Sequence, residues 1–306
     1  MSLIAKLHKR GLINPPSFII GSTQYEVIMG SDAYGVSSGD SDQDIYGFAV
    51  PSKDIIFPHL RGEILGFGRQ INRFEVWQQH HIEDKQIERM YDFSIYNIVK
   101  YFDLCMNNNP NMIDSLFVPR RCIVHSTKIG NMVRDERRIF LHKGCWHKFK
   151  GYAYSQMHKM DIKNPEGKRK EMVDKYGYDL KFAYHVVRLL DEVAQILTEN
   201  DIDLERNREQ LKSIRRGEWK VEQIREYFSM KEKDLESLYL SSKLPYGPDE
   251  DKIKTLLLCC LEEYYGSLDN IIVRPNAFQS LLGDLNLLVE KYSKVPGIPT
   301  EEKENG

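Results

Sequence analysis

Residues Gly30–Gly47 read G-S-D-A-Y-G-V-S-S-G-D-S-D-Q-D-I-Y-G, and the fold is decided by how this stretch must lie. Ahead of it, Tyr25–Gly30 (YEVIMG) is a short apolar run ending in glycine, the pattern of a strand. Behind it, Asp44–Val50 (DIYGFAV) is a second strand, halted by Pro51. At Gly30 and Ser31 small residues let the backbone approach a phosphate, and exposed amides there can cradle it. Ser41, Asp42, Gln43 and Asp44 then open the second strand. Residues two apart on a strand point to the same side, so Asp42 and Asp44 present both carboxylates to one place. Two hard oxygen ligands suit Mg²⁺ or Mn²⁺, with water and substrate phosphates completing the shell. A pair of such ions about 4 Å apart can activate an attacking hydroxyl and stabilise leaving pyrophosphate.

Outward from this loop, Arg73–Trp77 and Glu88–Ile95 read as further strands. Tyr96–Met106 has helical spacing, with Ile98, Val99, Phe102 and Met106 on one face. Asn107–Asn111 (NNNPN) breaks it, and a second helix is expected from near Asn111 to Phe117, before Pro119. From about Ser126 the chain turns to helix after helix. Tyr178–Thr198 is the clearest of these, and Asp251–Tyr265 follows a break at Pro245–Pro248 (PYGP). Ile162–Lys175 reads as a polar loop, and the tail from Pro296 as disordered.

The Gly30–Gly47 pattern, G-S followed by S-D-x-D, resembles the signature of the DNA polymerase β nucleotidyltransferase superfamily. In the form G-S-x-A-Y-G-x-x-x-x-x-S-D-x-D-I-Y-G it looks closest to the RNA repair pathway DNA polymerase β family. Further blocks resemble that family in the same order: Asn108–Asp114 (NNPNMID), Gly151–Ala153 (GYA), Gly177–His185 through Arg188–Leu190, and Ile214–Trp219 (IRRGEW). The resemblance spans roughly residues 20–260. It implies an α+β fold, in which a polymerase-β-like mixed sheet with helices precedes a helical C-terminal domain. The expected units are 1–125 (catalytic), 126–294 (helical, binding nucleotide and acceptor) and 295–306 (tail). It also implies transfer of a nucleoside monophosphate from an NTP to a hydroxyl, with a possible RNA end as acceptor. The superfamily adds a third carboxylate on a neighbouring strand. Asp92 in Met90–Ile95 (MYDFSI) matches the family block, and Glu75 in Phe74-Glu75-Val76 is the alternative. On this reading Asp42, Asp44 and Asp92 are the catalytic metal ligands, Gly30, Ser31 and Ser41 bind the phosphates, and Tyr34 and Gly35 shape the loop.

A second constellation is Lys181, His185 and Arg188, spaced i, i+4, i+7 and so confined to about 60° of helix surface. Their neighbours are apolar, so the helix is largely buried, and cations there need an anionic partner. A nucleotide triphosphate is one such partner. Structural acids such as Asp179 or Asp191, or a solvated stripe, are the others. His80-His81 reads as part of a solvated loop or strand, because adjacent strand residues point oppositely. Residues 134–175 hold 12 Lys/Arg against 6 Asp/Glu, and with Trp146, Phe149, Tyr152 and Tyr154 they suit single-stranded nucleic acid. Lys143, Lys148 and Lys150 would touch its backbone, although snorkelling lysines on an ordinary amphipathic helix fit the same pattern.

The remaining features exclude classes more than they choose one. Over 306 residues, 41% hydrophobic and 29% charged residues are ordinary for a globular protein. The net charge of −2 confines any nucleic-acid surface to a local patch. The apolar run Leu256–Leu261 is too short to span a membrane, and the N-terminal MSLIAKLHKRG lacks a signal-peptide pattern. Five cysteines without a C-x-x-C pair suggest reduced thiols and a cytoplasmic setting. Two alternatives stay open on these residues: nucleotidylation of a small molecule or protein hydroxyl, and a non-catalytic nucleotide-binding module. Oligomeric state is not legible.

Overall fold

The computed structural model describes residues 1–37, 42–64, 66–68, 70, 72–160, 167–268, 285–289 and 292. Five strands form one mixed sheet: β1 (Thr23–Ile28), β2 (Gln43–Ala49), β3 (Val76–Asp84), β4 (Arg89–Asn97) and β5 (Ile123–Ser126), in the order β3-β4-β2-β1-β5. The central β2–β4 pair is parallel and its neighbours are antiparallel. Helices α1 (Leu3–Lys9), α2 (Ser17–Ser22) and α3 (Lys53–Ile56) accompany the first strands, and α4 (Ile98–Met106) and α5 (Pro110–Phe117) follow β4. Beyond β5 the chain is helical: α6 (Lys128–Asp135), α7 (Cys145–Met160), α8 (Lys168–Tyr176), α9 (Leu180–Glu199), α10 (Arg208–Arg215), α11 (Val221–Ser241) and α12 (Glu250–Tyr265). The α+β architecture expected from the sequence is therefore present. Among the described residues no helix is long and apolar enough to cross a membrane.

Period-two alternation splits the sheet cleanly. Ile45 and Ala49 of β2 and Tyr91, Phe93 and Ile95 of β4 face back, where they pack on Ile4 and Leu7 of α1 and Ile19 of α2. Glu26 of β1, itself buried, accepts the amides of Leu3 (2.6 Å) and Ile4 (3.0 Å), tying α1 to this face. The front face carries Tyr25, Val27 and Phe48 into a large core that continues through α4, α5, α7 and the buried stripe of α9. β1 and β2 approach closely because residue 47 is glycine: a Cβ there would come within 1.9 Å of the Tyr25 carbonyl oxygen.

Two element expectations change. The third strand runs Val76–Asp84 rather than Arg73–Trp77. It is an edge strand, so its outer face is wet and its sequence (VWQQHHIED) is polar enough to hide it. Part of the expected polar loop is instead α8, whose Lys, Arg and Glu residues are good helix formers that need no core. Residues 161–166 of that loop and the tail 295–306 lie outside the described residues. The break before α5 is as the sequence reads: Asn109 caps Met112 N–H (3.3 Å), and Pro110 takes the first helical position, where its missing donor costs nothing.

Candidate active site

β2 and β4 run parallel with Asp44 directly opposite Asp92, and Asp42 lies two residues before Asp44 on the same face. All three carboxylates line a cavity of about 420 Å³ at the mouth of the sheet, with Gly30 and Ser31 at its edge. Gly30–Val36 is a compact turn closed by Tyr34 N–H to the Gly30 carbonyl (3.3 Å) and Val36 N–H to Ser31 (2.9 Å). Gly30 has φ +69°, and a Cβ on it would sit 2.6 Å from Oδ2 of Asp44. Only glycine keeps this space open beside the carboxylate. Ser41, expected to bind phosphate, lies outside the described residues.

The carboxylate cluster is short of positive charge. Burial raises the pKa of Asp44; Lys181 opposes this, Asp92 and Asp42 add to it, and His80 offsets part of it. Among the described residues no three His, Cys, Asp or Glu side chains are gathered closely enough to enclose a metal by themselves. A divalent cation at these hard oxygens would take the rest of its coordination from water and substrate phosphates, as Mg²⁺ does. The donor set fits such an ion in chemistry: carboxylate oxygens only, crowded enough to repel one another.

Glu75, the alternative third carboxylate, lies outside this cavity. Its side chain is 61% exposed and pairs with Lys100 at 3.6 Å. The structure thus brings Asp92, not Glu75, beside Asp44.

Across the cavity stands the start of α9. Asp179 caps it, accepting the amides of Lys181 (2.8 Å) and Phe182 (3.3 Å), and this cap fixes where Lys181 emerges. Lys181 and His185 line the cavity. Arg188 does not, which corrects its assignment to the substrate. Seven residues on, it sits about 10 Å further along the helix axis, in the core. Its guanidinium donates to Oδ2 of Asp114 and to both carboxylate oxygens of Glu192 (2.9 and 3.1 Å), and it lies 4.2 Å from the centre of the Tyr34 ring. Tyr34 in turn donates to Asp114 (2.8 Å). The anionic partner that the sequence demanded is structural, but it is Asp114 and Glu192 rather than Asp179 or Asp191. Asp191 instead accepts from Tyr227 (2.6 Å).

Three polar residues of the cavity, Tyr46, Asn111 and Arg215, were not assigned from sequence. Tyr46 follows Asp44 by two, so strand periodicity places it on the site face. Asn111 and Arg215 lie in the NNPNMID and IRRGEW blocks and also line the cavity. Arg215 is held by a hydrogen bond to the Val36 carbonyl (2.6 Å), with Tyr184 beneath it. Outside the cavity lining, His80 also went unassigned; its Nδ1 lies 3.7 Å from Oδ1 of Asp92. Nothing in the sequence announces the β-bulge that brings it there.

The first part of the basic segment, residues 134–150, is mostly a structural seam. Arg134 donates to the carbonyls of Leu116 (2.8 Å) and Val118 (2.5 Å), Arg137 lies over Phe117, and Arg138 pairs with Asp201. Lys143 is buried against the Tyr246 ring, and Lys150 pairs with Glu232 at 2.6 Å. Trp146 and Phe149 are buried. Of the three lysines expected to touch RNA, Lys148 alone is exposed without an ion pair among the described residues. Charge counted along the sequence could not see these partners, which come from α11 and distant loops.

A solved nucleotidyltransferase-like protein from Exiguobacterium sibiricum aligns over 96% of this chain and 94% of its own, at 10% identity and a TM-score of 0.27. No curated protein matches the chain. The sequence matches the model of the family described as RNA repair pathway DNA polymerase beta family over residues 19–242, which contains the sheet, the carboxylates, the α9 wall and Arg215. The chain belongs to the RNA repair pathway DNA polymerase β family.

Proposed function

We propose that this protein is a metal-dependent nucleotidyltransferase that moves a nucleoside monophosphate from an NTP to a hydroxyl, with an RNA end as acceptor. The observation that carries the reading is the parallel register of Asp44 against Asp92, with Asp42 beside them, in a cavity faced by Lys181 and Arg215. Carboxylates on one wall and cations on the other suit a triphosphate bound between them through divalent ions. Mg²⁺ or Mn²⁺ held by Asp42, Asp44 and Asp92 would supply the positive charge that acidifies the attacking hydroxyl and neutralises the phosphates.

The chain's own residues supply the rest. Gly30 and Ser31 give the β- and γ-phosphates a backbone approach, with no Cβ at Gly30 to obstruct it. Lys181, His185 and Arg215 offset charge as it moves toward pyrophosphate. Asp92 orients the acceptor hydroxyl. The new bond joins the acceptor oxygen to the α-phosphorus as the hydroxyl proton passes to Asp92 and on to water, the bond from that phosphorus to the bridging oxygen breaks, and pyrophosphate leaves.

A second acceptor class is favoured by one observation: most cations of the 134–150 stretch are already engaged within the protein. That surface is therefore also compatible with a small-molecule or protein hydroxyl. The test is incubation with each labelled NTP and Mg²⁺ or Mn²⁺ against RNA, small-molecule and protein acceptors. Asp42→Asn and Asp44→Asn should each reduce transfer by at least ~100-fold, since even the partners that orient metal ligands cost 10–100-fold when lost. Near-wild-type turnover in either variant would remove the transferase reading, and labelling of a small molecule with none of RNA would settle the acceptor against RNA.

A further inference from the structure

β3 and β4 pair regularly from Val76↔Tyr96 to Gln79↔Phe93 and resume at Ile82↔Tyr91, so His80 and His81 together stand opposite Asp92. Gln78 donates to Ser94 Oγ (3.0 Å), which fixes the front face of β3 just before the irregularity. His80 keeps that face, and the extra residue turns the following amide toward it as well. His81 adopts φ +56°, a left-handed conformation that is unfavourable for a non-glycine residue. What the bulge gains is a hydrogen bond from the His81 amide to Oδ1 of Asp92 (2.7 Å), with the His80 imidazole 3.7 Å from the same oxygen. Among the described residues Oδ2 of Asp92 takes no hydrogen bond. Bulges recur beside active sites because they re-aim a side chain.

We infer that the β3 bulge holds Asp92 in its working orientation, and that His80 is a positioning residue for this carboxylate. The His81 amide holds one oxygen, with the His80 imidazole close beside it, which leaves the other oxygen for the cation and the acceptor hydroxyl. This rests on the transferase reading above. It assigns a role to an edge-strand residue outside every sequence block that resembles the family.

The test compares wild type, His80→Ala, His80→Gln and Asp42→Asn for Mn²⁺ affinity, read from the EPR signal of free Mn²⁺, and for kcat and KM with NTP. His80 is half exposed, so both variants should fold, with unchanged far-UV dichroism. His80→Ala should weaken Mn²⁺ binding and lower kcat by roughly 10–100-fold, with KM for NTP within about twofold. His80→Gln, which keeps a side-chain donor, should recover most of both. Unchanged Mn²⁺ affinity and kcat in His80→Ala, beside a clear loss in Asp42→Asn, would overturn the positioning role alone. Mn²⁺ binding and transfer indifferent to Asp42→Asn would overturn the transferase reading instead.

Discussion

Replacing Arg188 should unfold this protein more readily rather than loosen its grip on nucleotide. The guanidinium is 2% exposed and is shared by Asp114 and Glu192, at 0% and 3%. Arg188→Ala leaves both carboxyl groups buried without their cation and removes the surface under Tyr34. Breaking a buried pair in this way costs about 3–5 kcal/mol. Unfolding entropy of about 2.1 cal/mol/K per residue, taken over the whole chain, converts that to a fall in Tm of roughly 5–8 °C. Arg188→Met, which refills most of the volume, should fall nearly as far, because the missing charge and not the space dominates. Adding Asp114→Asn to Arg188→Met should return part of the loss, since it removes the stranded carboxylate. The assay is differential scanning fluorimetry or calorimetry with and without NTP, beside NTP titration of the folded variants. Refutation would be an unchanged Tm together with a tenfold weaker NTP affinity, which would put Arg188 at the substrate.

The same network predicts a pH dependence. Burial pushes Glu192 well above the usual carboxylate range; Arg188 opposes this and Asp114 adds to it. A carboxyl whose folded pKa is raised contributes stability that is complete below its unfolded pKa and is lost as pH rises through the folded value. Glu192→Gln mimics the protonated form, so its Tm should gain on wild type as pH climbs above the ordinary carboxylate range; a constant gap would refute the assignment. Asp92→Asn should cut kcat at least tenfold while Glu75→Gln stays near wild type, and the reverse ranking in steady-state kinetics would restore Glu75. Gly30→Ala should fold yet lose most transfer, because its Cβ would meet Asp44 at 2.6 Å; full activity would show that the loop moves freely. Lys143→Ala and Lys150→Ala should lower Tm without changing the salt dependence of RNA binding, whereas each lost phosphate contact would flatten the log K against log[salt] slope by about 0.7.

How much of this was legible depends on which interactions a sequence can express. Periodicity of two put Asp42 and Asp44 together, because that needs nothing beyond one strand. The parallel register that sets Asp92 opposite Asp44 needs two strands far apart in the chain, and only the family block pointed to it. The edge strand β3 was misplaced because half its surface faces water and its residues are accordingly polar. The bulge at His80 was invisible, since nothing in a Gln-Gln-His-His run specifies an extra residue in the ladder. The internal partners of the basic segment were invisible for a related reason. A count of Lys and Arg carries no record of Glu232, Asp201 or the Tyr246 ring that neutralise or bury them.

The blocks that resemble the family do not all serve one purpose. G-S-D-A-Y-G contributes Gly30 to the carboxylates and Tyr34 to the core; NNPNMID contributes Asn111 to the cavity and Asp114 to the core; the α9 block contributes Lys181 and His185 to the cavity and Arg188 to the core. Each of these three blocks thus brings a residue to the cavity and a residue to a shared buried cluster of Tyr34, Asp114, Arg188 and Glu192. That cluster ties the glycine turn, α5 and α9 to one another directly behind the cavity. Buried ion pairs are weak sources of net stability when compared with apolar packing, so their physical use here is geometric: the charges accept only one relative placement of three segments. On the proposed reading, a loop that presents backbone to a triphosphate and a helix that presents a lysine opposite it gain from being fixed to the same point. The helical half is therefore not a separate lid over the carboxylates. Through Arg188 it is anchored to the turn that begins the site.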